Sequence, residues 1–513
     1  MNKQHSRIET LSEQLLKNPD DPGLLVQIAD LHKQERKYEE AMSLYFRATK
    51  KSPDNPDILE NIAGCFQELM LFQEASRYYQ AAFDLGKKTV RIINNLVLCL
   101  RYCDKVVQSN QLLKKYENSS NLPRRLLLFS AMNYIVEGTL DKAELITRKA
   151  IKLAPDNKFS QGILETVLAA KDNLKRQPAS ERLTIAFHMN EEFHYAIMKP
   201  IFDALKHHFD VIITGDPFFL KSVNPSVVFV ANKQAEMLRK SMPDTKFVYT
   251  RHGLISKNFI YEAARTCDFV CVTSEDQQAQ FIREGGFSRE QVWLTGYAQM
   301  DPLFRGVNQV LNLDLRENKK KVLYAPTFTE GLSSIPMILP YLTAEFVESM
   351  GDIDLLIKLH PLVERMQPDW FIGMKRAAEE FENIHLVGGV GTDVVPYLQA
   401  ADILISDASS VIFQFLALDR PVIAISNPER FTTKEYDSSG IEWRWRDMME
   451  ELEDVSLLPE ILKKCLKNPQ LKAEKRAEYR DKLFGSVTDG RSGERILSYL
   501  EEILPVSEDA ENG

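Results

Sequence analysis

The sequence predicts an α-helical repeat array followed by two doubly wound α/β domains, an α plus α/β architecture. Three observations point to it. Proline and small apolar residues recur every 34 positions in the first third of the chain, as from Pro19 to Pro53. After residue 183, short apolar runs alternate twice with helical segments. The 513 residues also exceed what one hydrophobic core organises, so we expect about three structured units.

The repeat occupies residues 1–170 and predicts pairs of packed helices. Positions that match at this spacing are Ile28 and Ile62, Ala29 and Ala63, Ala41 and Ala75, Tyr45 and Tyr79, and Ala48 and Ala82. Small side chains let the two helices of a unit approach closely, and proline ends the second helix. The pattern resembles the tetratricopeptide repeat (TPR) family, with four units between about residues 19 and 155. Such arrays bind a protein or peptide on their concave face, and a purely structural array is the alternative.

Residues 171–182, KDNLKRQPASER, predict a linker or helix end before the α/β part. We place one α/β domain at 183–310, a second at 320–503 and a disordered acidic tail at 504–513. The strand-like runs, such as VVFVA, are apolar throughout, which is typical of parallel strands covered on both faces. A ligand site is therefore expected in the cleft between the two domains, at the carboxyl ends of strands.

Composition argues against several classes of protein. The net charge of −9 argues against bulk binding of nucleic acid. The six cysteines form no CxxC pair, which argues against a zinc site or a disulfide framework and favours reduced thiols in a cytosolic protein. Neither a secretory signal nor an apolar run of the ~20 residues that span a bilayer is found. We expect a cytoplasmic protein whose membrane contact, where it has one, is peripheral and at the inner face of the plasma membrane.

The stretch DILISDASSVIFQFLAL, residues 402–418, joins a buried strand to an apolar helix through small polar residues. Ser409 or Ser410 can cap the helix, and both leave room for an anion at its backbone N–H groups. A phosphate or diphosphate suits that place, whereas Asp407 is expected to accept hydrogen bonds or to order the loop. By itself the stretch is better explained by an ordinary capped helix.

Other strand ends direct reactive side chains toward the same cleft. YAPTFTE ends one strand at Thr327, LIKLHP ends another with Lys358 and His360, and YTRHG ends a strand of the first domain with His252. One histidine from each domain is hard to attribute to chance. Near the end of the chain, TDGRSGER places two arginines four residues apart, on one face of a helix, where they could grip a phosphate.

Taken in order, HG, YAPT, KLHP, SDASSVIFQFLALDRPVI and DGRSGER resemble the CDP-glycerol glycerophosphotransferase family of bacterial teichoic acid and capsule synthesis. The resemblance covers about 250–500 by motif and 183–250 by pattern. It implies a GT-B fold, a nucleotide-activated donor of the CDP-linked type, and no metal or other cofactor. It also implies catalytic roles for His252, as general base on the acceptor side, and for His360. The residues implied for donor binding are Thr327, Lys358, Asp407, Ser409, Ser410, Arg491 and Arg495.

Two positions depart from the family's pattern. The family usually has tryptophan before His-Gly, where this chain has Arg251, and arginine two places after the YAPT threonine, where it has Thr329. These positions are expected near the donor or acceptor. The transferred group is therefore left open between glycerol phosphate, another polyol phosphate and a sugar, and the attack between phosphorus and an anomeric carbon.

The predicted function is a metal-independent transferase of bacterial cell-surface polymer synthesis, with a polymer, lipid-linked or protein acceptor and a TPR-bound protein partner. One alternative is a TPR-guided, O-linked protein glycosyltransferase. Others are an enzyme of the UDP-GlcNAc 2-epimerase type, which shares a strand–serine–helix element, and a non-catalytic TPR scaffold. A separate stretch, EWRWRD at 442–447, could stack on an acceptor or pack its tryptophans inward.

Overall fold

In the structure, a computed structural model, the chain divides into two units. The structure describes residues 3–117, 122–176, 182–189, 191–251, 253–254, 259–309, 311, 313, 315–389 and 392–504. The first unit comprises Met1–Asp156 and Asp216–Val223, and the second comprises Asn157–Gly215 and Asn224–Gly513. The six cysteines carry free thiols. Across the described residues, no helix is both long and apolar enough to cross a membrane.

The first unit is built from antiparallel helix pairs. Its helices are α1 (Lys3–Lys17), α2 (Pro22–Gln34), α3 (Tyr38–Thr49), α4 (Pro56–Glu68), α5 (Phe72–Asp84), α6 (Val90–Tyr102), α7 (Val106–Tyr116), α8 (Arg124–Val136) and α9 (Leu140–Leu153). The recurring alanines and tyrosines found in the sequence are buried between the helices of each pair. Because alanine adds little bulk, the helix axes approach closely there.

The period of 34 residues holds through four helix pairs. First helices begin at residues 22, 56, 90 and 124, and second helices at 38, 72, 106 and 140. The turn within each pair contains one left-handed residue, which is Arg36, Met70, Asp104 or Gly138. The predicted helical repeat is confirmed, including its third unit, in which the sequence pattern is weakest. The assignment of these pairs to the TPR family stays a prediction.

The third helix pair of this unit, α6 and α7, contacts a segment from much later in the chain, residues 216–223. Arg101 on α6 forms a buried ion pair with Asp216, next to a short helix at Pro217–Val223. The same guanidinium donates to Ser109 Oγ at 3.1 Å and to Asn110 Oδ1 at 2.8 Å. Lys221 pairs with Asp104 in the adjacent turn. These polar contacts fix residues 216–223 within the first unit.

The second unit contains two α/β lobes, and the first lobe has a six-stranded parallel sheet. Its strands are β1 (Thr184–His188), β2 (Asp210–Thr214), β3 (Val227–Val230), β4 (Lys246–Tyr249), β5 (Phe269–Val272) and β6 (Val292–Leu294), in the order β2-β1-β3-β4-β5-β6. The helices of this stretch are α10 (Lys158–Arg176), α11 (His194–Leu205), α12 (Pro217–Val223, part of the first unit), α13 (Gln234–Arg239), α14 (Phe259–Ala264), α15 (Glu275–Arg283) and α16 (Asp301–Phe304).

The second lobe repeats this plan with the strand order β12-β11-β10-β7-β8-β9, again fully parallel. Its strands are β7 (Lys320–Tyr324), β8 (Ile353–Ile357), β9 (Ile384–Leu386), β10 (Ile403–Ser406), β11 (Val422–Ile425) and β12 (Glu450–Leu452). Its helices are α17 (Ile335–Ile338), α18 (Ala344–Ser349), α19 (Val363–Met366), α20 (Pro368–Glu380), α21 (Val395–Ala400), α22 (Val411–Phe415), α23 (Ile441–Arg444), α24 (Leu458–Lys467), α25 (Ala473–Phe484) and α26 (Ser492–Ile503). The predicted fold class, two Rossmann-like α/β domains after a helical array, is confirmed.

The sheet of the second lobe is apolar on both faces, as the continuous hydrophobic runs predict. Leu323, Leu356 and Leu404 pack in one buried cluster. The residues that follow the first two in their strands, Tyr324 and Ile357, pack in another cluster on the opposite face. Successive strand residues point to opposite faces, so most positions of a strand covered by helices on both sides are apolar. The buried Asp354 in β8 is an exception, and it pairs with Arg316.

Two segments differ from the predicted domain limits. Helix α10 belongs to the second unit, because Asn173 donates to the backbone carbonyls of Lys206 and Phe209 in the first lobe. The start of the predicted linker, 171–176, is therefore helical, while 177–181 and the tail 505–513 lie outside the described residues. The last helix, α26, packs on α11 and β6, so the chain returns from the second lobe to the first.

Candidate active site

Three neighbouring strands of the second lobe deliver the predicted polar residues to one edge of the sheet. Ile405, Tyr324 and Ile357 lie side by side in β10, β7 and β8. The residues that follow them therefore emerge at the same level, because the strands are parallel. They are Asp407 to Ser410 after β10, Pro326 and Thr327 after β7, and Lys358 to His360 after β8.

A cavity of about 110 Å³ opens at this edge. The second lobe lines it with Pro326, Lys358, His360, Ser409 and Ser410, among others. The first lobe contributes Phe193 and Gln299. The structure thus brings four of the predicted site residues together on one cavity that both α/β lobes line. Thr327 and Asp407 are both described, and neither lines this cavity.

Asp407 organises the turn beneath the cavity. Its Oδ1 accepts from the backbone N–H groups of Thr327 at 2.8 Å and Ala408 at 2.7 Å. Its Oδ2 accepts from the N–H and the hydroxyl of Ser334, both at 2.8 Å. Burial raises the pKa of Asp407 to about 6, although these hydrogen bonds favour the charged form. The side chain therefore ties the loop after β7 to the loop after β10.

The helix that follows Ser410 is shorter than the sequence predicts. Helix α22 has five residues and continues as a 3₁₀ turn at Leu416–Leu418. A helix of this length sums few peptide dipoles, so an anion at its start would depend on side chains more than on the helix. Ser409 Oγ accepts from the Val411 N–H at 3.4 Å, and Ser410 makes no capping hydrogen bond with the helix.

The imidazole ring of His360 is held in one orientation by a hydrogen bond and by two aromatic neighbours. Its Nδ1 accepts from the backbone N–H of Leu362 at 3.2 Å. A neutral imidazole that accepts at Nδ1 carries its proton on Nε2, and that N–H can donate to an oxyanion. Phe328 packs at 4.5 Å between ring centroids and Phe193 meets the ring edge-on at 5.9 Å. These rings hold the imidazole in place and keep part of it from water.

Lys358 is a buried cation at the same cavity, with 6% of its surface exposed. Burial lowers the pKa of its ammonium to about 8, and the nearby Asp393 carboxylate opposes that shift. The residue is therefore charged at neutral pH but close to its titration range. A bound phosphate would stabilise the charged form.

An amide network joins the two lobes beside the cavity. Gln299 of the first lobe donates through Nε2 to Asp393 Oδ1 at 2.8 Å and accepts at Oε1 from Gln414 Nε2 at 2.7 Å. Tyr297 donates to the same Oε1 at 3.1 Å. Sequence reasoning missed all four residues. Gln299 lies just past the end of β6, at the carboxyl edge of the first sheet. Polar residues at such an edge often belong to a site, and only this position could have marked Gln299 as a candidate in the sequence.

A comparison with protein families matches residues 193–502 to the family described as CDP-Glycerol:Poly(glycerophosphate) glycerophosphotransferase. The chain belongs to this family. The resemblance predicted from the sequence is thereby confirmed, and neither the protein glycosyltransferase nor the non-catalytic scaffold gains support.

Similar proteins act in teichoic acid synthesis, according to their descriptions. A teichoic acid glycerol-phosphate primase of Bacillus subtilis (strain 168) is 26% identical over 250 residues, which are 46% of this chain and 60% of that protein. The teichoic acid ribitol-phosphate polymerase TarK of Staphylococcus aureus is 26% identical over 248 residues, 45% of this chain and 44% of that protein. The chain thus spans less than two thirds of either relative. A solved structure of the wall teichoic acid polymerase TagF has a TM-score of 0.46 at 17% identity and covers 69% of this chain and 96% of its own.

The two arginines of the DGRSGER segment lie apart from the cavity. Arg495 donates to the Thr295 carbonyl at 3.2 Å and to Asp489 at 2.6 Å, while the exposed Arg491 pairs with Glu494. Neither lines the 110 Å³ cavity. The segment holds α26 on the first lobe, because Asp301 accepts from the backbone N–H of Ser492 at 3.0 Å and from its hydroxyl at 2.6 Å. A donor contact by either arginine stays a prediction.

His252 lies outside the described residues, but both of its neighbours are described. Gly253 packs directly against Ser410, since a Cβ at Gly253 would lie 3.2 Å from Ser410 Oγ. Arg251 is buried and left-handed at φ 62°. Gly253 of the first lobe thus adjoins the serine turn of the second lobe, and a residue larger than glycine at position 253 would push the two apart.

Proposed function

We propose that this chain transfers a polyol phosphate, most simply glycerol phosphate, from a CDP-linked donor to a hydroxyl of a bacterial cell-surface polymer. The observation that carries the proposal is the convergence of Lys358, His360 and Ser410 on one cavity within the region matched to the family. The cavity is smaller than sites for whole drug-sized ligands, so we assign to it the donor's diphosphate.

The proposed reaction is a displacement at phosphorus. The acceptor oxygen forms a bond to the phosphorus that carries the polyol, and the bond from that phosphorus to the oxygen of CMP breaks. The hydroxyl proton passes to a base, and CMP leaves with the bonding electrons and an added negative charge. Family membership favours His252 as the base, and the packing of Gly253 on Ser410 supports this assignment.

Cations and hydrogen-bond donors of the second lobe stabilise the leaving group in this proposal. His360 donates through Nε2–H to a phosphate oxygen, and Lys358 supplies a full positive charge in a partly water-excluded place. Asp407 holds the two loops that frame the site at their positions. We propose that these groups neutralise the developing charge without a metal ion, and that the protein works at the inner face of the plasma membrane.

The test measures CMP release and product mass with CDP-glycerol and a lipid-linked glycerol-phosphate primer. The expected result is one added glycerol phosphate per CMP, unchanged by EDTA. His360→Gln should lower kcat about 10²–10³-fold, the range found when one donor to a transition-state oxyanion is removed. The matched control is His207→Gln, which changes an exposed histidine of the first lobe.

The donor panel includes CDP-ribitol and UDP-N-acetylglucosamine. Turnover with CDP-ribitol in preference to CDP-glycerol would support transfer of a polyol phosphate but identify the polyol as ribitol. Turnover with the UDP-sugar alone would contradict the proposal, because the group transferred would then be a sugar.

A further inference from the structure

Arg446, the last arginine of the EWRWRD stretch, lies against residues 407–410, which form the serine turn. Its Nη2 donates to the main-chain carbonyl of Asp407 at 2.7 Å, and its Nε donates to the carbonyl of Glu442, also at 2.7 Å. The guanidinium lies over the indole of Trp443, with Cζ 4.7 Å from the ring centroid. The side chain therefore links α23 to the loop that follows β10.

The main chain of the serine turn is fixed by this contact as well as by the Asp407 carboxylate. A trans peptide unit is planar, so its carbonyl and its N–H point in opposite directions. In the unit that joins Asp407 to Ala408, the carbonyl accepts from Arg446, and the N–H donates to Asp407 Oδ1 at 2.7 Å. Both ends of this peptide unit are thus held, and Ser409 and Ser410 follow directly from it.

Stability alone does not account for an arginine at this position. Arg446 is buried, with 9% of its surface exposed, and its Nη1 has no hydrogen-bond partner in the part of the chain that the structure describes. Burial lowers the pKa of the guanidinium, and the nearby carboxylates of Glu451 and Asp407 oppose that shift. Because arginine stays protonated in proteins, the residue is a buried cation with one unsatisfied donor. Such a group stabilises a fold less than a well-packed apolar side chain would.

The serine turn borders the 110 Å³ cavity through Ser409 and Ser410. Arg446 does not line that cavity, so it acts on a bound ligand only through the turn and through its positive charge. Groups that are already in place when a phosphate arrives bind it more tightly than groups that the phosphate has to order. A residue that fixes the turn from behind can therefore raise the affinity for a phosphate that it does not contact.

We infer that Arg446 is a positioning residue for the donor's diphosphate, which holds Ser409 and Ser410 in their binding orientation through the Asp407 carbonyl. This inference rests on the proposed function, since it takes the 110 Å³ cavity as the place of the diphosphate. The role is confined to the phosphates, because the hydrogen bond from Arg446 reaches only the serine turn.

The test compares the affinities of the whole protein for CDP and for cytidine, which lacks the phosphates. Calorimetry measures CDP, and competition against CDP measures the weaker cytidine. Arg446→Met keeps an unbranched chain that can pack on Trp443, but it removes the charge and both hydrogen bonds. We expect it to weaken CDP about tenfold and to leave cytidine within about twofold. Arg446→Lys keeps the charge and one donor to the Asp407 carbonyl, so it should weaken CDP only about threefold.

Two control variants separate positioning from stability. Met448→Ala changes a buried core residue in the same 3₁₀ turn as Arg446, so it should lower the melting temperature and leave the affinity for CDP unchanged. Arg376→Met changes an exposed arginine on α20 of the same lobe and should alter neither quantity.

Three outcomes would overturn the inference. They are equal CDP affinity in the wild type and Arg446→Met, an equal loss of affinity for CDP and cytidine, and no recovery of CDP affinity in Arg446→Lys relative to Arg446→Met. Should Arg446→Met fail to fold, Arg446→Lys with wild-type affinity for CDP would overturn it instead. Failure of the proposed function has a different signature, because the wild type itself would then release no CMP from CDP-glycerol.

Discussion

The two α/β lobes share a topology and differ in chemistry. Each has six parallel strands, yet the carboxyl edge of the second sheet carries three ionisable residues, Lys358, His360 and the buried Asp407. The first lobe offers the neutral Gln299 to the cavity that Lys358 and His360 line. The difference suggests that the two lobes have separate roles in the proposed reaction. Donor binding should depend on the second lobe, and acceptor activation on the first, with the amide network at Gln299 keeping the two in register.

The strongest test of this division is His252→Ala. We expect kcat to fall about 10²–10⁴-fold, the range for loss of a general base, while the affinity for CDP-glycerol stays within twofold. Steady-state CMP release and calorimetry measure the two quantities. His207→Ala, an exposed histidine of the same lobe, should change neither. Wild-type turnover by His252→Ala would remove the first lobe from the chemistry.

Lys358→Met should lower donor affinity, unlike His252→Ala, because it removes a charge that we propose to contact the donor's diphosphate. We expect the affinity for CDP-glycerol to fall about 10–100-fold. The exposed Lys375→Met on α20 serves as control.

The pH dependence of donor affinity is a second test of whether the charge of Lys358 contributes to donor binding. Burial lowers the pKa of Lys358 to about 8, so the residue is charged below that pH and loses its charge above it. Wild-type affinity for CDP-glycerol should thus decline as the pH rises through 8, and Lys358→Met should lack this step. A step of equal size in the variant would assign the titration to another group.

The two ends of β10 offer a comparison within one strand. Asp407 at the carboxyl end is 1% exposed and accepts four hydrogen bonds, whereas Asp402 precedes the strand and pairs with the exposed Lys320 at 2.8 Å. Asp407→Ala should destabilise the second lobe by about 3 kcal/mol, because it leaves buried donors unpaired. Asp402→Ala should cost about 1 kcal/mol or less. Hydrogen exchange of the β7 and β10 amides measures both, and equal protection would show that the turn is not held by Asp407.

The smallest effect on donor binding is expected for Arg495→Ala. Its guanidinium bonds to the Thr295 carbonyl and to Asp489, so its loss should cost about 1 kcal/mol of stability in the first lobe, and the predicted donor contact adds only a modest loss of CDP affinity. Arg491→Ala, which breaks an exposed pair, should be silent in both measurements. A tenfold loss of CDP affinity in Arg495→Ala would show that the arginine contacts the donor strongly, and an unchanged affinity would contradict the contact that the family resemblance implies.

The sequence predicted the features that depend on local pattern. A spacing of 34 residues and apolar runs of strand length follow from helix and strand geometry, so the helical array and both sheets could be anticipated. Lys358 and His360 could be placed on one edge with Ser410, because parallel strands end together. The amide network could not, because Gln299 and Gln414 are 115 residues apart and amides carry no periodic signal. The five-residue length of α22 was also hidden, since its apolar run continues into a 3₁₀ turn.

The return of α26 to the first lobe limits how this protein can be dissected. Tyr499 stacks on Trp293 at 5.0 Å, and Gly493 lies so close to α11 that a Cβ would come within 2.5 Å of the Pro200 carbonyl oxygen. An N-terminal fragment that stops between the two sheets would lack this helix and expose the indole it covers. Engineers who want the first lobe alone should graft residues 489–504 onto it, or permute the chain so that both pieces are synthesised consecutively.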